Sequence, residues 1–158
     1  ETHLIVSKAA EKVIEHELGL SRRDFGELAS HVYDVDDLAA QLASGSFKTD
    51  GMVVVPCTMK TLAGIVHGFA DNLILRAADV ALKERRPLVV VPRECPLSVV
   101  HLGNMLRVAE LGVRVVPAMP AFYHKPRGIG DLVDFVVGRI LDCIGLEHDL
   151  FRRYSGLR

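Results

Sequence analysis

The chain has 158 residues, enough to bury a proper core as one domain. Apolar residues make up 49 % and charged residues 25 %, and a net charge of −1 leaves no basic field for nucleic acid and no polybasic patch for a membrane surface. The longest apolar runs are strand-length, so no segment reads as a membrane span.

The first strand comes almost at once, THLIVS at 2–7. A chain that opens inside its core predicts a further segment ahead of Glu1. KAAEKVIEHEL at 8–18 has the helical spacing of Ala9, Val13, Ile14 and Leu18, and Gly19 stops it. Ser21, with Asp24 three residues on, starts a helix through RRDFGELAS. A short strand is predicted at His31–Tyr33. Asp36 then caps a helix over DDLAAQLAS, which ends in SGSF at 44–47. MVVVP at 52–56 is the next strand. Thr58 or Thr61 caps TLAGIVHGFA, and Asp71 opens a long helix at 72–86 that Pro87 terminates. LVVVP at 88–92 is a strand, 96–112 a helix ended by Gly112, and VRVVP at 113–117 the last strand. An amphipathic helix at 131–145 and a polar tail complete the chain. Strands alternating with helices of this length predict an α/β domain on a parallel sheet covered on both faces.

Three of these strands run through β-branched residues into a proline and then into polar residues: MVVVPCTMKT, LVVVPRECP and VRVVPAMPAFYHK. Proline cannot extend a strand ladder, so each proline is expected to mark a strand end. In an open α/β sheet, ligands bind outside the carboxyl ends of the strands. The loops there hold Cys57, Thr58, Thr61, Arg93, Glu94, Tyr123, His124 and Lys125, which predicts one composite polar site.

Each candidate also has a plainer reading. Ser7 before a helix is either a cap or part of a phosphate site. CTMKT at 57–61 offers two hydroxyls at a helix start, an anion site without the Walker glycines. Cys57 reads as a buried structural thiol ahead of a nucleophile. Arg93 and Glu94 either pair with each other or their neighbours, or face a ligand. FYHKPR at 122–127 makes an anion clamp or an exposed polar loop. KERR at 83–86 complements a helix dipole. Cys57, Cys95 and Cys143 are an odd number without metal spacing and predict free thiols in a reducing, cytoplasmic setting. The seven histidines form no i, i+4 pair with a supporting carboxylate, so no metal is predicted.

The segments ETHLIVSKAA (1–10), SGSF (44–47), GMVVVPCTMKTLAGI (51–65), NLILRAADVALKERRPLVVVPRECPLS (72–98), HLGNML (101–106), PAFYHKP (120–126) and DLVDFVVGRIL (131–141) follow one another in order. Together they resemble the UbiX-type flavin prenyltransferases, long called 3-octaprenyl-4-hydroxybenzoate carboxy-lyases or phenolic acid decarboxylase B subunits. The resemblance implies a flavodoxin-like, Rossmann-like three-layer fold over residues 1–158, binding FMN between subunits of a homo-oligomer, commonly a dodecamer. The implied reaction joins reduced FMN to dimethylallyl phosphate, without a metal. It forms a bond from flavin N5, closes a fourth ring through C6, and yields prenylated FMN for a UbiD-type decarboxylase.

The same resemblance implies roles residue by residue. Ser7, Thr58, Met59, Lys60, Thr61 and Arg93 contact FMN, and Arg76 lies near it. Thr58 replaces a serine more usual in the family and keeps the hydroxyl. Tyr123 and Arg139 bind dimethylallyl phosphate, with Arg93 close by and Lys83 joining from a neighbouring subunit. Glu17 and Glu94 match carboxylates near the reacting centre. Tyr154 stands where many relatives carry Trp.

The family also opens with a strand and a glycine-rich phosphate loop that this sequence does not contain. That strand is central in a doubly wound sheet, so a chain without it is expected to have a divided sheet. Other readings are a subunit of an aromatic-acid decarboxylase or an FMN carrier without transfer activity. A cysteine decarboxylase of related fold is a further one, but its PXMNXXMW-type stretch is absent here.

Overall fold

A computed structural model describes residues 1–156. Its strands are β1 (His3–Ile5), β2 (His31–Tyr33), β3 (Met52–Cys57), β4 (Leu88–Pro92) and β5 (Arg114–Val115). The helices are α1 (Lys8–Leu18), α2 (Arg22–Gly26), α3 (Met59–Val66), α4 (Leu73–Lys83), α5 (Val99–Glu110) and α6 (Ile129–Ile144). All pairings are parallel. They form a two-stranded sheet, β1-β2, and a three-stranded sheet in the order β3-β4-β5. The expected division of the sheet is therefore seen among the described residues.

The larger sheet is the centre of a three-layer stack. Every residue of β4 is buried. Its side chains alternate between faces, as strand geometry requires. Leu88 and Val90 join Val54, Cys57, Leu62, Ile65, Leu75, Ala78 and Val108, which come from β3, α3, α4 and α5. Val89 and Val91 point the other way and pack with Ile140 of α6, flanked by Val136, Cys143 and Ile144. A run of valines with no polar alternation is what a strand covered on both faces needs.

Several boundaries differ from the sequence expectation, each for a local reason. No α-helix forms over residues 36–44, where a single 3₁₀ turn occupies Gln41–Ala43. The carboxylates of Asp34 and Asp37 accept from the backbone of Asp36 and Ala39, at 2.9 and 3.0 Å, and these local bonds replace a helix ladder. β3 does not stop at Pro56 but continues to Cys57. The register shifts between Val54 and Cys57, so Pro56 sits in an irregularity where no N–H is demanded. Asn72, not Asp71, caps α4, its Oδ1 accepting from Leu75 N at 3.0 Å. That helix ends at Lys83 because Arg85 turns left-handed at φ 55° and Arg86 N donates back to Ala81 O at 2.8 Å. The first and last strands are shorter than expected, and α6 begins at Ile129.

Leu62 is fully buried between α3 and the sheet. Leu62→Ala is expected to lower unfolding free energy by about 2–5 kcal/mol in a urea titration. A loss no larger than that of an exposed-site variant would contradict this packing.

Candidate active site

Because β3, β4 and β5 are parallel, the loops leaving their carboxyl ends share one edge of the sheet. The segments 58–61, 93–94 and 116–125 all start there, as the strand–proline pattern predicts.

The loop after β3 turns directly into α3. Thr58 is the N-cap, and its Oγ1 accepts from Thr61 N at 3.3 Å and lies 3.0 Å from Thr61 Oγ1. Thr58 is exposed and Thr61 half-buried, so two hydroxyls and the amides of a helix start meet solvent together. Such an end favours an anion. Met59 packs under the loop against the core, and Lys60 points out. Ser7 plays the equivalent cap on α1, accepting from Ala10 N at 3.1 Å.

Arg93 and Glu94 follow β4 and are both exposed. Neither forms an ion pair among the described residues. The Glu94 carboxylate makes a local hydrogen bond, Oε1 accepting from Cys95 N at 3.2 Å. Of the two readings left open by the sequence, ion pairing with each other or with neighbours is not seen among the described residues.

Tyr123 follows β5. Its ring meets Phe135 of α6 edge-on at 5.7 Å and Tyr154 at 5.5 Å. Its hydroxyl has no hydrogen-bond partner among the described residues. Phe135 also stacks on His124, with ring centroids 5.0 Å apart. Both ring nitrogens of His124 are buried without a hydrogen-bond partner among the described residues. Arg139 stands one turn beyond Phe135 on α6, half-exposed, with Nη1 donating to Asp142 Oδ2 at 2.7 Å. The i, i+4 spacing puts Phe135, which Tyr123 meets, and Arg139 on one face of α6, a turn apart.

The remaining predicted residues are on α1 and α4. Arg76 is committed locally, Nε donating to Ala43 O at 3.0 Å and Nη1 to Asp79 Oδ2 at 2.8 Å. Glu17 is exposed near the end of α1. Lys83 ends α4, just before β4 begins, and its Nζ lies 3.5 Å from Glu84 Oε1. It therefore sits at the amino edge of the sheet, separated from Arg93 by the length of β4, about 16 Å at the usual rise per residue.

Sequence reasoning missed the carboxylate of Asp142. It takes Arg139, Arg153 and His148 together, and the Arg139–Asp142 i, i+3 spacing was the one signal available. Hydrogen bonds from Arg153, and then from His148, hold this carboxyl down at about 2. Cys57 is the opposite case: burial pushes its thiol up to about 12, so it stays protonated. That fits the structural reading of this cysteine. Among the described residues no cluster of His, Cys, Asp and Glu could hold a metal ion, and no helix is long and apolar enough to cross a membrane.

Residues 1–141 match the family model described as Flavoprotein. The chain is 56 % identical over 157 residues to the "Probable UbiX-like flavin prenyltransferase" of Escherichia coli O157:H7, covering 99 % of this chain and 80 % of that protein. It is 49 % identical over 155 residues to the "Flavin prenyltransferase UbiX" of Methanocaldococcus jannaschii, covering 98 % and 84 %. The chain belongs to the UbiX-type flavin prenyltransferase family.

Solved UbiX structures agree. AnUbiX (PadA1), in complex with FMN and dimethylallyl pyrophosphate, superposes with a TM-score of 0.97 at 51 % identity, covering 100 % of this chain and 84 % of that one. The dodecameric FMN-dependent Ubix-like decarboxylase from Escherichia coli O157:H7 gives 0.96 at 56 %, covering 99 % and 84 %.

Asp142 ordinarily titrates near 3.8 and is depressed in the fold, so its stabilisation is full above that value and is lost as pH falls toward about 2. The stability advantage of the native protein over Asp142→Asn should be constant at neutral pH and shrink through this acid window in urea titrations. An advantage that does not depend on pH would contradict the ion cluster. Alkylation near neutral pH should label exposed Cys95 and spare Cys57, read by peptide mass mapping. Labelling of Cys57 at a comparable rate would show that its burial is wrong.

Proposed function

We propose that this chain is a flavin prenyltransferase that joins the dimethylallyl group of dimethylallyl phosphate to reduced FMN. One observation carries the reading. Arg93 and Glu94 stand without ion-pair partners among the described residues at the carboxyl end of the most buried strand, in a chain whose whole length matches a relative solved with FMN and dimethylallyl pyrophosphate.

The geometry suits the chemistry. The Thr58–Thr61 helix start and Arg93 provide hydrogen-bond donors for FMN, with Ser7, Met59, Lys60 and Arg76 completing the proposed flavin surroundings. Tyr123 and Arg139 present donors to the prenyl phosphate. In the transfer, flavin N5 bonds to the allyl carbon while the carbon–oxygen bond breaks and its electron pair leaves with phosphate. Positive charge builds on the allyl carbon and negative charge on the departing group. Fixed Arg, Lys and Tyr donors stabilise that departure most strongly where water is excluded. The proton shed from N5 needs an acceptor. We assign that role to Glu94 or the released phosphate, with Glu17 as the second candidate carboxylate.

Lys83 bears on assembly. Its position at the amino edge keeps it from the Arg93 edge of its own chain. That supports a site completed by Lys83 of a neighbouring copy, within a homo-oligomer such as a dodecamer. We further propose that the product serves a UbiD-type decarboxylase and that the enzyme works in the cytoplasm.

Tyr123→Phe and Arg139→Ala should each slow prenyl transfer by a factor of about 10²–10³ while FMN stays bound. Full single-turnover rates in both would remove these residues from the prenyl-phosphate site. Glu94→Gln should reduce the single-turnover rate more than it weakens flavin binding, measured by flavin fluorescence titration. An unchanged rate would make Glu94 structural.

A further inference from the structure

Three basic side chains from two parts of the chain converge on the single carboxylate of Asp142. Arg139, one turn earlier on α6, donates through Nη1 to Oδ2 at 2.7 Å. Arg153 grips both oxygens, Nη2 to Oδ1 at 2.7 Å and Nη1 to Oδ2 at 3.2 Å. His148 Nε2 lies 3.1 Å from Oδ1, its side chain only 4 % exposed. His148 and Arg153 belong to the segment after α6, so the carboxylate ties that segment back onto the helix.

The close crossing is built into the sequence. A Cβ at Gly138 would stand 2.5 Å from both His148 Cε1 and Phe151 Cε1, so only glycine lets the segment lie against α6 at this point. Phe151 then packs on Phe135 at 4.8 Å, and Tyr154 on Tyr123 at 5.5 Å. Phe135, Arg139 and Asp142 are spaced i, i+4, i+7 and form one stripe of the helix. The clasped segment thus touches Tyr123 at one end and the partner of Arg139 at the other.

We propose that Asp142 is a positioning residue for prenyl-phosphate binding: it fixes the Arg139 guanidinium and clasps the His148–Tyr154 segment over α6, so that Arg139 and Tyr123 face one phosphate. This rests on the assignment of Arg139 under the proposed function. The contact with Asp142 uses one terminal nitrogen of Arg139, and the rest of its planar fork is available to a phosphate. One carboxylate against two guanidinium groups leaves the cluster cationic, so it orients Arg139 without cancelling the attraction for an anion. An arginine on a flexible stem and unanchored would have to be ordered by the ligand itself, at a cost to affinity.

The test compares variants of the full-length protein under anaerobic conditions with reduced FMN. Asp142→Asn keeps the size of the side chain and removes its charge. It should raise KM for dimethylallyl phosphate about tenfold, change kcat less, and leave the FMN dissociation constant unchanged. In an Arg139→Ala background the same substitution should add less than it does alone, no more than the rise in Arg153→Gln, because only the clasp is then left to lose. Arg153→Gln releases the clasp, leaves the Asp142–Arg139 contact in place, and should give a smaller rise. It is the variant read if Asp142→Asn does not fold. An unchanged KM in Asp142→Asn or, where that variant does not fold, in Arg153→Gln, alongside an impaired Arg139→Ala, would overturn the positioning role and spare the assignment of Arg139. So would independent, multiplying effects in the double variant. An Arg139→Ala protein with native KM and a native single-turnover rate would overturn the assignment itself, and this inference with it.

Discussion

Burial of β4 on both faces is the constraint on which the rest of this molecule depends. Five consecutive residues, Leu88 to Pro92, are inaccessible, with α3, α4 and α5 on one side and α6 on the other. A strand sealed this way has no room for polar side chains along its length. Polar chemistry must wait until the strand ends, and it starts at once with Arg93 and Glu94. The parallel pairing of β3 and β5 on either side delivers their loops to the same edge. The site is thus a consequence of how the core is packed. The threonines, the arginine and the tyrosine need only occupy loop positions that the sheet has already brought to one side.

The second organising element is α6. Its inner face covers the sheet through Val136, Ile140 and Cys143. Another stripe carries Phe135, Arg139 and Asp142, and receives the segment that follows the helix. Individually exposed ion pairs contribute little to stability. Asp142 differs in being only 19 % exposed and in bonding three partners at once, one of them a nearly buried histidine. The aromatic contacts from Tyr123 through Phe135 to Phe151 run beside this cluster, so apolar packing and charge pairing hold the same segment down.

The fold was largely legible in the sequence because its signals are strong and local. Uninterrupted β-branched runs ending in proline gave β3 and β4, and capping residues gave the starts of α1 and α2, with Thr58 one of two candidates for α3; the start of α5 at Val99 lies three residues beyond the one expected. The failures share a cause. Residues 36–44 have helical periodicity, but Asp34 and Asp37 bond their own backbone instead. Pro56 looked like a strand end, yet a ladder irregularity lets β3 pass it. In both places competition between a side chain or ring and the backbone ladder decided the outcome, and apolar spacing does not report on that. The loops of the site were readable in the same way, since a polar residue directly after a buried strand is conspicuous. Specific roles were not. They came from resemblance to UbiX-type proteins, and Asp142 escaped notice because its importance lies in contacts with residues 148 and 153, which spacing on α6 cannot show.

Prenyl transfer to a flavin at this sheet edge is tested most directly by measuring its product. Full-length protein incubated anaerobically with reduced FMN and dimethylallyl phosphate should release inorganic phosphate and yield a flavin heavier by one five-carbon prenyl unit in mass spectrometry. Recovery of unmodified FMN alone, from protein shown to bind both substrates, would contradict the account and leave a flavin-binding protein without transfer activity.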